Sequence, residues 1–484
     1  MALANMARIM PKRPNILLIL TDDHAAHAIG AYGSVVNATP RIDEIAERGV
    51  TVESCFCTNS LCTPSRAAIL TGTYSHINGV TTLSTPIDAS QPTFISQLRA
   101  AGYRTGIVGK WHLGEGEGHN PEGFDYWAVL RGQGTYFDPE ILTANGVTVV
   151  PGYTTDVLTD LALAWLDSLD GDDPWCLLIH HKAPHRPWEP DDEHKGRYSA
   201  PIPVPETFND DYSTRTSAAH RAAMRVADHL SLIDLKEAPP EGLTYEQTAL
   251  WKYQRYMEDY LACVASVDDN VGRVIDRLQS DESFDDTLLM YSSDQGFFLG
   301  DHGWFDKRFM YDESLRMPLL VSCPSRIPAA GRKLSQLVTN VDFAQTILEA
   351  ADVSPHPRMQ GISIWPQLTL DPDRPTREAV YYRYFEHDDP DHRVFAHYGI
   401  RTDRHKLIYF YNDGLGHPGS SPYVFAPDWE LYDLENDPEE LKNVYLDPAY
   451  LELREELKAQ LWRLQAQLGD EPHPSQPVPE GVSG

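Results

Sequence analysis

The feature that most restricts the fold is a regular alternation of short apolar runs and amphipathic stretches between residues 14 and 350. The apolar runs have the length and continuous hydrophobicity of strands buried on both faces, and they lie at 15–21, 103–109, 175–181 and 287–293. Helical patterns separate them, at 41–48, 93–102, 156–169 and 245–279. This order predicts an α/β fold in which a large, mostly parallel β-sheet is sandwiched between helices.

The pattern changes near residue 370, which predicts a second, smaller module. Short strand-like runs follow one another there without intervening helices, at 381–384, 394–400 and 406–411, and a helical pattern comes next at 450–468. Such an order is typical of an antiparallel sheet with one packed helix. We therefore expect a main domain at residues 1–370 and a C-terminal α+β subdomain at residues 371–484. Residues 187–241 suit a long surface insertion in the first domain.

The acidity of the chain narrows the choice of partners. Its 40 Lys and Arg residues against 71 Asp and Glu residues give a formal charge of −31. Nucleic acid and anionic membrane surfaces would be repelled, so neither is expected as a partner, whereas a small anionic substrate would need a local cluster of cations. No run reaches the roughly 18 apolar residues of a membrane span, and residues 16–20 are too short for a signal peptide. A cytoplasmic location is therefore expected, and a homo-oligomer is compatible with the sequence.

The most informative segment is CTPSRAAILTG at residues 62–72. Its composition predicts a loop that enters a helix, with proline and serine in the first turn and Gly72 at the end. Cys62 would then lie at the positive end of the helix, which favours negative charge on its side chain. An isolated cysteine before a helix is usually a buried structural residue, and only the surrounding motif argues otherwise.

Two polar pairs directly follow predicted strands. Asp22 and Asp23 come after the first strand, and Asp294 and Gln295 come after the run at 287–293. Both pairs can project from the same edge of one sheet. Oxygen ligands suit a hard cation such as Ca²⁺ or Mg²⁺ better than zinc. Alone, either pair would more often cap a loop or form a solvated turn.

The cationic candidates lie in three further strings. These are GKWHLG with Lys110 and His112, HHKAPHRPW with His185, and GDHGWFDKR with Lys307. Alternation after a strand would send Lys110 and His112 to one face. A single surface lysine is far more often solvated than catalytic, and a histidine after a strand is often only hydrogen-bonded. We expect His180 and His181 to be structural in this sense.

Together these motifs resemble the type I sulfatases of the alkaline phosphatase superfamily. CTPSR followed by LTG matches the family signature Cys-x-Pro-x-Arg with its Leu-Thr-Gly ending, and GKWHLG resembles the family segment Gly-Lys-x-His-x-Gly. The likeness extends over most of the chain, through SDQGFFLGDHGWFDKRFMYDESLRMPLLV and ELYDLENDPEELKN. It is strongest to the bacterial branch that includes N-acetylglucosamine-6-sulfatases and arylsulfatases.

The resemblance implies hydrolysis of sulfate monoesters, either aryl or sugar sulfates. In the family the motif cysteine is oxidised by a formylglycine-generating enzyme to Cα-formylglycine. One hydroxyl of the hydrated aldehyde attacks sulfur, and the other then eliminates sulfate. Carried over, Cys62 is the nucleophile precursor and Arg66 holds the deprotonated diol. The contacts to sulfate and the proton for the leaving oxygen are assigned to Lys110, His112, His185 and Lys307.

The resemblance also implies one divalent cation. Its ligands would be Asp22, Asp23, Cys62, Asp294 and Gln295. Gln295 departs from the Asn or His that is commoner in the family, but it still offers an oxygen. Ca²⁺ is favoured over Mg²⁺ or Mn²⁺ because its coordination is more permissive. Asp301 and His302 are candidates for binding sugar hydroxyls, or equally for a polar loop that supports Lys307.

Two alternative functions stay open at this point. A phosphonate monoester or phosphodiester hydrolase would share the motif and the fold, but such enzymes carry neutral hydroxyl residues where this chain has Lys110 and His112. A silent binding protein would keep the fold without oxidising Cys62, although the complete cationic set argues against it. No single residue identifies the natural sulfate ester.

Overall fold

The computed structural model describes residues 13–328, 330–370 and 376–479. Its strands are β1 Asn15–Thr21, β2 Val50–Val52, β3 Cys55–Phe56, β4 Arg104–Lys110, β5 Tyr126–Leu130, β6 Glu140–Thr143, β7 Gly146–Val149, β8 Trp175–His180, β9 Thr287–Ser293, β10 Phe298–Leu299, β11 Phe305–Asp306, β12 Leu319–Ser322, β13 Arg332–Leu334, β14 Val338–Thr339, β15 Val380–Tyr384, β16 His397–Arg401, β17 His405–Phe410 and β18 Asp428–Asp433. Its α-helices are α1 Pro40–Glu47, α2 Cys62–Thr71, α3 Ser75–Asn78, α4 Phe94–Ala100, α5 Thr154–Asp167, α6 Ser217–Arg221, α7 Val226–His229, α8 Leu232–Leu235, α9 Tyr245–Ser280, α10 Asp312–Leu315, α11 Asp342–Ala350, α12 Trp365–Leu368 and α13 Leu451–Leu468.

The main sheet has ten strands in the order β13-β2-β12-β9-β1-β8-β4-β5-β6-β7. Its centre, β9-β1-β8-β4-β5, is entirely parallel. Antiparallel pairs lie outside this centre, where β12 joins β9 and β2, and where β6 joins β5 and β7. The predicted α/β architecture with a mostly parallel sheet is confirmed.

Strand β1 shows why the apolar runs are continuous. Ile16 and Leu18 belong to a core formed with α2, α4 and α11, whereas Leu17 and Ile19 belong to a second core formed with α1, α5 and α9. Successive side chains of a strand point to opposite faces, so a strand covered on both sides must be apolar throughout. The central strands therefore end abruptly in polar residues at one edge of the sheet.

The C-terminal module is a four-stranded antiparallel sheet in the order β15-β16-β17-β18. The first three strands correspond to predicted ones, and β18 was not predicted. Leu457 and Leu461 of α13 pack with Tyr409 on one face, while Ile408 joins the core of the main sheet on the other. The predicted division at residue 370 adjoins residues 371–375, which lie outside the described residues, so it stays a prediction.

The segment 187–241 differs from the expected surface insertion. It carries the short helices α6, α7 and α8, and it buries Trp188, Tyr212 and Met224 in the two cores. None of the helices in the described part of the chain combines the length and apolar character needed to cross a bilayer. Residues 1–12, the start of the stretch weighed as a signal peptide, lie outside the described residues.

Candidate active site

The acidic pairs meet at the carboxyl ends of two adjacent parallel strands. Thr21 of β1 lies opposite Ser293 of β9, so Asp22 and Asp294 emerge side by side. The backbone N–H of Asp23 donates to Oδ1 of Asp294 at 3.3 Å. Asp22, Asp23 and Asp294 are completely buried. The structure thus brings the two polar pairs together at one edge of the sheet, as the sequence predicts.

Helix α2 begins at Cys62 and brings Arg66 to the same acids. Arg66 is four residues further along, which places it on the same face of the helix. Its Nε donates to Oδ2 of Asp294 at 3.0 Å, its Nη2 lies 2.9 Å from the same oxygen, and its Nη1 donates to the carbonyl of Lys110 at 3.0 Å. Cys62 is 1% exposed. The motif spacing therefore joins the helix N-terminus to the end of β9.

Two lysines neutralise the other two carboxylates. Lys110, the last residue of β4, donates to Oδ2 of Asp22 and to the amide oxygen of Gln133. The ammonium of Lys307 lies 2.6 and 2.7 Å from the two carboxylate oxygens of Asp23. Both lysines are buried. Three carboxylates and three permanent cations, including Arg66, thus share one buried cluster.

Three histidines lie at different places around the cluster: His185 beside Asp23, His112 beside the start of α2, and His180 against Arg66. His185 Nε2 lies 3.9 Å from Oδ2 of Asp23. His112 Nδ1 lies 3.2 Å from the hydroxyl of Thr63, the residue after Cys62. His180 Nδ1 lies 3.3 Å from Nη1 of Arg66, with which it shares the Lys110 carbonyl as a neighbour. The structural role expected for His180 stays a prediction.

The pKa values of the acids reflect competition between burial and the cations. Burial alone would raise the pKa of Asp22, but the charges of Lys110, Arg66 and Lys307 together hold it well below its ordinary value. Burial raises the pKa of Asp23 to about 6 against the pull of Lys307. Burial, reinforced by the charge of Asp22, raises the pKa of Asp294 to about 7. A further positive charge beside Asp23 and Asp294 would stabilise their ionised forms and lower their pKa values.

The neutral groups of the cluster are set by burial. Burial raises the pKa of the Cys62 thiol, although Lys110 and Lys307 oppose it. Burial lowers the pKa of His112 well below its usual range, and Lys110 adds to the effect. Burial also lowers the pKa of His185, with Asp22 acting the other way. Both imidazoles are therefore neutral at neutral pH in the metal-free protein.

The cluster contains oxygen atoms that accept no hydrogen bond and could act as ligands of a divalent cation. Oδ1 of Asp22 and Oε1 of Gln295 are buried and have no hydrogen-bond partner in the structure. Asp22, Asp23 and His185 can each offer one ligand atom, and these atoms lie within 4.8 Å of one another. Gln295 Nε2 donates to Oδ1 of Asp23, which turns the amide oxygen away from that bond. Carboxylate and amide oxygens are ligands that suit a hard divalent ion.

Asp301 and His302 are not brought into this cluster by their contacts. The carboxylate of Asp301 pairs with His27 at 3.3 Å. His302 is completely buried, pairs with Asp210 at 2.9 Å and packs on the Trp304 ring. Their role in sugar binding stays a prediction. Arg186 and Trp188, which follow His185 in the chain, pair with Asp234 and pack on Tyr256, respectively.

Several residues beside the cluster were missed by the sequence analysis. Asp306 and Arg308 flank Lys307, and His392 of the C-terminal module lies 3.4 Å from Asp306. The position of Asp306 and Arg308 next to Lys307 was an available signal. Nothing local indicates His392, because it arrives from a different module.

A cavity of about 330 Å³ opens next to the start of α2. Thr63 and His112 form part of its wall, together with Trp111, Leu83 and Pro86. The cavity therefore combines apolar surface with access to the residues beside Cys62, as expected for a small-molecule site.

Comparison with known proteins identifies the family to which these features belong. The sulfatase family model matches residues 14–353, and the model of the C-terminal part of N-sulphoglucosamine sulphohydrolase matches residues 300–467. An N-acetylglucosamine-6-O-sulfatase from Bacteroides thetaiotaomicron is 39% identical over 513 residues, which covers 96% of this chain and 89% of the relative.

Two solved structures are similar to this chain over nearly its whole length. One, of a protein in complex with its substrate D-glucosamine-2-N,6-O-disulfate, has a TM-score of 0.87 at 38% identity and covers 95% of this chain and 98% of that one. A phosphonate monoester hydrolase from Silicibacter pomeroyi has a TM-score of 0.74 at 21% identity, covering 95% of this chain and 96% of that one. At 21% identity, the similarity to the phosphonate monoester hydrolase shows the fold alone.

Proposed function

The chain belongs to the sulfatase family, and we propose that its substrate is a glucosamine-type sugar with a 6-O-sulfate ester. The chain is a sulfuric ester hydrolase by that membership. The choice of sugar is supported by the relative from Bacteroides, which is named for this position of the sulfate, and by the substrate in the similar solved structure. Both likenesses extend over more than nine-tenths of the chain, whereas the phosphonate hydrolase is similar only in fold.

We assign the nucleophile to residue 62 after its conversion to Cα-formylglycine by a formylglycine-generating enzyme. Once formed, this group would supply one hydroxyl to attack sulfur and another to release sulfate. The N-terminus of α2 stabilises negative charge at residue 62. In this assignment Arg66 holds the deprotonated hydroxyl, and its contacts with Asp294 and the Lys110 carbonyl fix its guanidinium.

The remaining cations are assigned to the sulfate group and to proton transfer. Lys110 and Lys307 lie within the same buried cluster and can bind terminal sulfate oxygens, whose charge increases as the S–O bond breaks. His112 and His185 are neutral in the free enzyme, but an anionic ester beside them favours the imidazolium form. Either can then protonate the leaving oxygen, so that the alcohol departs neutral.

We propose that Asp22, Asp23, Asp294, Gln295 and the converted residue 62 hold one Ca²⁺ ion. The unpartnered oxygens of Asp22 and Gln295 support this set, and the permissive coordination of Ca²⁺ accommodates an amide ligand better than Mg²⁺ does. When bound, the ion would withdraw charge from a sulfate oxygen and lower the pKa of the attacking hydroxyl. Lys110 keeps Asp22 ionised beforehand, and the charge of the ion would favour the ionised forms of Asp23 and Asp294, whose pKa values burial raises to about 6 and about 7.

The observation that carries the proposal is the gathering of Cys62, three carboxylates and three permanent cations from separate segments into one buried cluster. The test uses protein co-expressed with a formylglycine-generating enzyme, with conversion of residue 62 checked by peptide mass. Sulfate release from N-acetylglucosamine 6-sulfate is measured by ion chromatography. N-acetylgalactosamine 4-sulfate serves as the matched control substrate, and an aryl sulfate serves as the reporter.

We expect turnover of the 6-sulfate in preference to the 4-sulfate, and a loss of nearly all turnover in Cys62→Ala. Full activity of Cys62→Ala would refute the covalent mechanism. Preference for the 4-sulfate would refute the assigned substrate while leaving the sulfatase chemistry intact.

A further inference from the structure

The turn that carries the acidic pair has an unusual backbone. Asp23 adopts a left-handed conformation, with φ of 69°. Residues other than glycine rarely adopt it, although aspartate tolerates it better than most. Such a conformation persists only when the surrounding structure holds it. The side chains that fix this turn therefore determine where the carboxylates of Asp22 and Asp23 point.

One side chain, Tyr260 of α9, bridges this turn. Its hydroxyl donates to the carbonyl of Asp23 at 2.9 Å and accepts from the N–H of Ala25 at 3.0 Å. Tyr260 is completely buried. Asp23 and Ala25 are completely buried as well, so bulk water does not reach the two backbone groups that the hydroxyl contacts.

The ring of Tyr260 also contacts the two other segments that carry candidate ligands. It stacks on Phe297 with a centroid distance of 5.9 Å and an interplanar angle of 15°, two residues after Gln295. It meets Trp188 edge-on at 6.3 Å, three residues after His185. A single residue thus touches the turn of Asp23, the segment of Gln295 and the segment of His185, whose imidazole lies beside Asp22 and Asp23.

We propose that Tyr260 is a positioning residue for the divalent metal site. The inference rests on the metal site assigned above. The hydroxyl holds Asp23 in its left-handed conformation, and the ring fixes the segments of Gln295 and His185 against that turn. Loss of the hydroxyl leaves the buried carbonyl of Asp23 and the buried N–H of Ala25 without this partner. The turn then relaxes, and the carboxylates of Asp22 and Asp23 lose their common direction.

The helix supplies a matched control one turn away. Tyr256 is also completely buried and packs on Trp188 at 5.1 Å, but its hydroxyl has no hydrogen-bond partner. Tyr256→Phe therefore removes the same atom from the same aromatic stack without touching the turn. Any difference between Tyr260→Phe and Tyr256→Phe reports on the two hydrogen bonds alone.

The experiment measures Ca²⁺ binding by titration calorimetry on chelator-treated, full-length protein, with circular dichroism and thermal melts as folding controls. We expect Tyr260→Phe to weaken Ca²⁺ affinity by about 10- to 100-fold, as is usual for groups that orient metal ligands. Tyr256→Phe should bind like the wild type. Turnover of Tyr260→Phe should recover toward the wild-type kcat at saturating Ca²⁺, since Tyr260 does not touch substrate.

Equal Ca²⁺ affinity in Tyr260→Phe and the wild type overturns the inference, as does a kcat loss that Ca²⁺ cannot restore. If the wild type binds neither Ca²⁺ nor Mg²⁺, the proposed metal site fails and the role of Tyr260 fails with it. Phe297→Leu provides a second variant in case Tyr260→Phe does not fold. It keeps the hydroxyl and removes the stacking partner, so weaker Ca²⁺ binding supports the inference and unchanged binding overturns it.

Discussion

Replacing His302 with glutamine should remove a stabilising charge whose effect depends on pH. Burial would lower the pKa of His302, but the hydrogen bond with Asp210 and the Glu313 carboxylate 3.7 Å away outweigh burial and raise it to about 9. The ring is completely buried, and its pair with Asp210 spans 2.9 Å. The folded protein therefore holds the proton far more tightly than the unfolded chain does.

The size of the effect follows from the two pKa values. A rise from 6.5 to about 9 corresponds to about 3 kcal/mol of stabilisation. Because the folded pKa is the higher one, this stabilisation is complete below pH 6.5 and is lost as the pH rises through 9. Wild-type protein should lose thermal stability progressively between pH 6.5 and pH 9, and His302→Gln should lose much less over the same window.

Thermal melts followed by circular dichroism at closely spaced pH values test this expectation. His397→Gln is the matched control, because burial lowers the pKa of His397 to about 3. That ring stays neutral in the folded state, so its replacement should alter the pH dependence only below pH 6.5. Parallel curves for the wild type and His302→Gln above pH 6.5 would refute the argument. A raised KM for the sugar sulfate with parallel curves would instead favour direct sugar binding by His302.

Three further outcomes follow from the active-site cluster. Asp22→Ala should abolish Ca²⁺ binding measured by calorimetry and sharply reduce turnover, because it removes an unpartnered buried oxygen; normal binding and turnover would contradict the ligand assignment. Arg66→Ala leaves Asp294 buried with one cation fewer and should cost about 3–5 kcal/mol, seen as a lower thermal midpoint; an unchanged midpoint would contradict the role of this pair. An aryl sulfate should be hydrolysed with a higher kcat/KM than a phenylphosphonate monoester, because Lys110 and His112 stand where neutral hydroxyl residues are expected in a phosphonate hydrolase. A higher kcat/KM for the phosphonate would favour phosphonate monoester hydrolysis as the activity.

Much of the fold and of the candidate site could be predicted because the signals are local. A strand covered on both faces must be apolar throughout, and its abrupt polar end identifies Asp22 and Asp294. The spacing from Cys62 to Arg66 is one helical turn, which fixes their relation before any tertiary contact is known. The link between these segments came from resemblance, not from the residues themselves.

The features that escaped prediction depend on contacts between distant segments. His302 lies in a polar string that looks solvent-exposed, yet the rings around it and Asp210, 92 residues away in sequence, bury it. His392 reaches Asp306 only because the C-terminal module packs on the main core. Strand β18 was missed because its charged residues hide the alternation, and Glu430 is buried by hydrogen bonds to Thr216 and Tyr311.

The charge balance of the cluster explains how an acidic protein can bind an anion. Asp22, Asp23 and Asp294 are matched by Arg66, Lys110 and Lys307, so the metal-free cluster is close to neutral and each buried charge has a partner. A divalent cation added to this set leaves two positive charges in excess within a buried, weakly screened space. The field of the remaining acidic surface is screened over about 8 Å at physiological ionic strength, so it does not cancel this local excess. On this argument the metal makes the site attractive to a sulfate ester, and Lys110 keeps Asp22 ionised until the metal binds.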